Sequence, residues 1–158
     1  MNVELRQADN TITEQAGVGA AALVIMQTAG PVTVQPPGLT GATVAIAAAS
    51  GNVANTAAVA TLAAAVGKTT YITGFSITSS GATVGAVVLA TLAGLVGGVT
   101  FTYVYAVMAG AALGNATLHV DFAIPLPASA VNTAIVLTLP ALGVGNTNAA
   151  VIIRGYQA

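Results

Sequence analysis

The chain has 158 residues, enough for one domain with a substantial core and an additional arm. It has no cysteine, which excludes disulfides, thiol catalysis and thiolate metal sites together. Only 4% of residues are Asp, Glu, Lys or Arg, against about 25% in ordinary soluble domains, and the three basic residues cannot neutralise phosphates along a duplex, so no nucleic-acid partner is expected.

Residues 1–14 read as a polar arm. They hold Glu4, Arg6, Asp9 and Glu14, and everything after them carries only Lys68, Asp121 and Arg154. The start, MNVELRQADN, is too polar for a secretory signal. Residues 16–26 (AGVGAAALVIM) are apolar and suit a short helix or a strand. Pro31, Pro36 and Pro37 with Gly38 then stop any helix. The expected division is an arm or assembly segment over 1–40 and a β domain over 41–158.

The β domain opens with a strand near Thr43–Ala47 and a turn over Ser50–Asn55. Ala57–Val66 (AAVATLAAAV) is ambiguous, because alanine favours helix in isolation. The regular spacing of turns decides for strand. Alternation then sets Tyr71, Thr73, Phe75 and Ile77 against Ile72, Gly74, Ser76 and Thr78. It sets Phe101, Tyr103, Tyr105 and Val107 against Thr102, Val104 and Ala106. Leu118, Val120, Phe122, Ile124 and Leu126 oppose His119, Asp121 and Ala123. Ile135, Leu137 and Leu139 oppose Val136 and Thr138, and Val151 and Ile153 oppose Ile152 and Arg154. A period of two places each set on one side of a pleated strand. Turn signals separate the runs at Ser79–Gly81, Gly97-Gly98, Gly110–Asn115, Pro125–Asn132 and Gly143–Asn146. Short strands at this spacing predict an all-β, antiparallel sandwich or barrel.

Mean hydropathy of +0.88 raises the question of a membrane span, with Ala82–Val99 as the candidate. The segment is mostly alanine and valine, interrupted by Gly85, Gly94, Gly97, Gly98, Thr83 and Thr91. No Lys or Arg cluster flanks it, and the chain has no Trp. No membrane partner is expected.

Motifs that carry chemistry are scarce. Gly67-Lys68-Thr69 lacks the earlier glycine of a phosphate loop, since position 62 is Leu62. Gly17-Val18-Gly19 has neither a preceding strand nor an acidic residue at dinucleotide-binding distance. Asn115-Ala116-Thr117 matches a glycosylation acceptor, a triplet frequent by chance. His119 and Asp121 share one strand face, opposite the apolar set. No Gly-x-Ser-x-Gly accompanies them, and the domain holds too few His or carboxylate ligands for a metal. They read as polar contacts at the surface or at a subunit interface, within reach of Lys68 or Arg154. Neither catalytic residues, cofactor nor metal is expected, and the chain reads as non-enzymatic. The aromatic residues Phe101, Tyr103 and Tyr105 fall on one face, which reads as core or sheet packing, with a glycan-binding patch as the alternative. A surface so poor in charge resists aggregation badly in a lone monomer, so sister copies are expected to cover much of it.

The segment TAAVATLAAAVGKTTYITGFSIT (56–78) and the phrases PLPASA, NTAIV and GNTNAA within residues 119–158 resemble phage virion proteins of the decoration (cement) or head-fibre type. The resemblance covers roughly residues 52–158. It implies a jelly-roll β-sandwich with an N-terminal arm, forming homotrimers that decorate or cement a capsid. The implied partners are sister copies and the major capsid protein or other virion proteins, and the implied location is the capsid surface. An alternative role is a receptor- or glycan-binding fibre or tail-tip domain, using loops such as Gly110–Asn115 or Gly143–Asn148.

Overall fold

Alternating apolar residues build eight strands after residue 43. They are β3 (Val44–Ala49), β4 (Ala58–Leu62), β5 (Thr70–Ser80), β6 (Ala86–Ala93), β7 (Phe101–Val107), β8 (Leu118–Pro127), β9 (Ile135–Leu139) and β10 (Asn148–Gln157). The computed structural model describes residues 7–8, 11–12, 43–110 and 113–158. Two compact units divide the chain, 1–34 and 35–158. In the first, β1 (Gln7–Ala8) pairs antiparallel with β2 (Thr11–Ile12). The remainder of the expected arm, the apolar run 16–26 and Gly17-Val18-Gly19 lie outside the described residues.

The eight strands form two antiparallel four-stranded sheets, ordered β3-β10-β5-β8 and β4-β9-β6-β7. Every connection except β6–β7 passes from one sheet to the other, and the last strand lies between the first and third. This is the strand order of a jelly roll, two interleaved Greek keys closed into a sandwich. Ala57–Val66 contributes β4, a strand. The helix preference of alanine is a fraction of a kcal/mol, and burial of Ala58, Ala60 and Leu62 outweighs it.

The core lies between the sheets. Ile72, Phe75, Ile77, Val151 and Ile153 come from one sheet, and Leu62, Leu92, Ile135, Leu137 and Leu139 from the other. Each such side chain contributes about 1.5–3 kcal/mol on leaving water, before its entropy cost. Phe75 is central, edge-on to Tyr103 at 4.9 Å and tilted against Phe122 at 6.4 Å. The alternations expected for β9 and β10 place Ile135, Leu137, Leu139, Val151 and Ile153 in the core.

Two expected alternations are corrected by bulges. In β5, Thr70 and Ile72 point inward before position 73, and Phe75 and Ile77 point inward after it. Arg154 pairs with Gly74 and Gly155 with Ile72, so Thr73 is an extra residue without a partner on β10. Its hydroxyl donates to the Arg154 carbonyl at 3.1 Å. The extra residue reverses the pleat, and Tyr71 therefore leaves the face of Phe75. It stacks on Tyr156, with centroids 4.8 Å apart.

In β8, Leu126 pairs with Ile72 but Asp121 with Gly74, so two steps on β5 face five on β8. Pro125, with no N–H to give a ladder, sits in this irregular stretch. Ile124 is consequently 77% exposed, not inward. A bulged, proline-bearing margin also protects β8 from pairing with foreign strands.

The Ala82–Val99 segment becomes β6 and a short 3-10 turn at Val96–Gly98. No helix among the described residues is long and apolar enough to cross a membrane.

Candidate functional site

Arg154, Asp121 and His119 gather on the outer face of the β3-β10-β5-β8 sheet. Arg154 on β10, Gly74 on β5 and Asp121 on β8 stand in one row across three neighbouring strands. Two strand spacings, about 10 Å, separate the outer two backbones. Arg154 spans that distance because Gly74 has no side chain. A Cβ on Gly74 would stand 2.5 Å from Asp121 Oδ1 and 3.2 Å from Arg154 Nη2. The bulge at Thr73 sets Gly74 in this position, so the β5 irregularity and the ionic cluster have one origin.

Arg154 Nη2 donates to Asp121 Oδ1 at 2.5 Å. His119 Nε2 lies 2.9 Å from Asp121 Oδ2 and 2.9 Å from Arg154 Nη2. One ring nitrogen cannot donate to the carboxylate and accept from the guanidinium at once. The carboxylate is acceptor-only, so a proton on Nε2 satisfies it, while Arg154 directs its own proton to Oδ1. Asp121 is thus the hub between two donors.

The expected contact of His119 and Asp121 with Arg154 is present. Lys68 belongs to a different element, the β4–β5 loop, where its carbonyl accepts from the Asn132 N–H at 3.0 Å and Gly67 N donates to Asn132 Oδ1 at 2.6 Å. Ser76 pairs opposite His119, yet no hydrogen bond joins their side chains among the described residues. No group of three His, Cys, Asp or Glu gathers there to hold a metal.

Asp121 titrates below its ordinary value of 3.8, because the Arg154 hydrogen bond, and after it that of His119, favour the carboxylate. A depressed carboxylate contributes stability above the unfolded-state value, and that contribution disappears as pH falls through the folded-state value. The group is exposed, so the effect is small at neutral pH. Asp121→Asn is expected to leave the fold nearly unchanged at pH 7 and to flatten the loss of stability below about pH 4. Urea denaturation of both proteins across pH 2.5–7 measures this.

A second polar cluster closes one end of the sandwich. Tyr105 Oη lies 2.9 Å from Ser79 Oγ, to which Asn115 Nδ2 donates at 2.7 Å. The amide of the Asn115-Ala116-Thr117 triplet is therefore engaged inside the protein. Asn146, fully buried, donates through Nδ2 to the carbonyls of Ser80 at 2.7 Å and Asn148 at 3.0 Å, with Gly81 sharing at 3.2 Å. Beside it is an open hollow of about 240 Å³, lined by Asn52, Thr78, Ser79, Ser80, Asn148, Ala149 and Ala150.

The outer face of the β4-β9-β6-β7 sheet is different in kind. It carries Val59, Val87, Leu89, Val104, Val136 and a row of threonines, Thr138, Thr91 and Thr102, with no charged residue. Burial alternates along Ala86–Ala93, but its residues are almost all apolar, so this face is not legible in the sequence.

Comparison with protein-family models, curated proteins and solved structures finds no match to this chain.

Proposed function

We propose that this chain is a non-enzymatic structural protein of a phage virion, decorating or cementing the capsid as a homo-oligomer, in the simplest arrangement a homotrimer. The observation that carries the reading is a jelly roll in which one outer sheet face has no charge at all. Exposed aliphatic faces of this kind are covered in working assemblies. The resemblance of phrases within residues 52–158 to decoration and head-fibre proteins supports this kind of assembly. The ionic cluster on the opposite face gives that side a fixed polar contact point for the major capsid protein or another virion protein.

The test is co-sedimentation. The tagged full chain is mixed with phage particles lacking it and recovered through a density gradient. Saturable recovery with particles, and a raised temperature of genome release, are expected. Free protein at the top of the gradient at every input would reject the reading.

A receptor- or glycan-binding role at a fibre or tail tip is the second reading, favoured by the hollow beside the Gly143–Asn148 loop, where the side chains of Asn52, Ser80 and Asn148 stand at the margin of a mostly apolar floor. Glycan-array binding lost in Asn148→Ala would support it over cementing.

A further inference from the structure

The two outer faces of the sandwich suit opposite tasks, and we infer that the β4-β9-β6-β7 face is covered by the same face of a second copy of this chain. The inference rests on the homo-oligomeric part of the proposed function and names the surface that part would use. Val87 and Val104 are each 68% exposed, Leu89 51% and Val59 46%. Leu89 and Val104 pair directly across β6 and β7, and Val87 pairs with Ala106 one row along. Val87, Leu89 and Val104 therefore form one contiguous patch, and Val59 stands across the uncharged threonine row from it.

Charge selects the partner. In a two-fold contact each surface meets its own image, so a patch bearing charge would repel itself or need an internal pattern of both signs. This face bears no charge and meets its image without penalty. It also offers nothing electrostatic to orient a different protein, whereas the Arg154–Asp121–His119 face does.

Area supports the pairing. Four strands of five to eight residues give a face of roughly 400 Å² in projection, from strand spacing and rise. Two such faces, with protruding valines and leucine counted, hide on the order of 1,000 Å², the size from which specific pairing holds. The pleated surfaces would interdigitate about 10 Å apart, as sheets do inside a sandwich. Strand β7, at the margin of this face, has neither charge nor proline to deter a neighbour.

Copies joined only through this face come in pairs, and trimers joined by other surfaces come as hexamers. The full chain with Val87→Lys and Leu89→Lys together is therefore expected to have half the wild-type mass by light scattering at 20–50 μM, with self-association weakened at least tenfold. Both positions face outward, so an unchanged circular dichroism spectrum and melting curve verify the fold. Ile152→Lys, at a 45% exposed position on the outer face of the other sheet, should keep the wild-type mass. A monomeric wild type, a double variant of unchanged mass, or equal dissociation by Ile152→Lys would each overturn the inference. Particle co-sedimentation is read separately. Binding by unpaired protein removes only the pairing, and pairing without binding removes only the virion role.

Discussion

Gly155→Ala is expected to destabilise the sandwich by about 3 kcal/mol or more, more than ordinary overpacking of a core by one methyl. Gly155 lies on β10, at the point where its register against β5 shifts. A Cβ there would stand inside the contact distance of the Tyr71 carbonyl oxygen and 2.9 Å from Leu62 Cδ1. The leucine can turn aside. The carbonyl belongs to the neighbouring backbone, and moving it separates two central strands. Every larger residue aggravates the clash, so Gly155→Val should not fold. Gly114→Ala is the control, since a Cβ at Gly114 meets nothing within 4 Å. Urea denaturation followed by circular dichroism should give a Gly114 variant close to wild type and a Gly155 variant mostly unfolded or sharply weakened. Wild-type stability in Gly155→Ala would show that β10 and β5 do not approach as described.

Asn146→Asp is the second large effect. The Asn146 amide nitrogen is surrounded by the carbonyl oxygens of Ser80, Gly81 and Asn148. Aspartate has the same shape but no hydrogen to donate, and as a carboxylate it would place a buried negative charge against three acceptors. The expected cost is about 3–4 kcal/mol at pH 7, combining lost hydrogen bonds with an unpaired buried charge. Burial disfavours the charged form, so the folded-state pKa of this aspartate rises above the unfolded value. The penalty is then smallest below about pH 4 and grows as pH rises. The difference in unfolding free energy from wild type should accordingly shrink from pH 7 to pH 4. A difference independent of pH would mean that the side chain escapes to solvent.

Both positions show where sequence reading reaches its limit. Gly155 and Asn146 sit in the chain as an ordinary glycine and an ordinary turn asparagine. Nothing nearby in sequence marks their neighbours, Tyr71 and Ser80, which are more than sixty residues away. The same holds for Gly74. Its bareness matters only because Arg154 and Asp121, from two other strands, must meet above it. His119 and Asp121 were legible as a pair, since two residues on one strand share a face whatever the fold. Their third member stands on β10, beyond β5, and only register places it in the same row.

Alternation by itself determined the all-β class, the inward sets of β9 and β10 and most turns, because a pleated strand imposes its period locally. Shortage of charge likewise marked an exterior almost without ionic groups. Tertiary structure decided the strand order, the bulges that turned Tyr71 and Ile124 outward, and the separation of an ionic face from an aliphatic one. Those depend on which strands lie side by side, and pairing energy is shared between segments that the chain holds far apart.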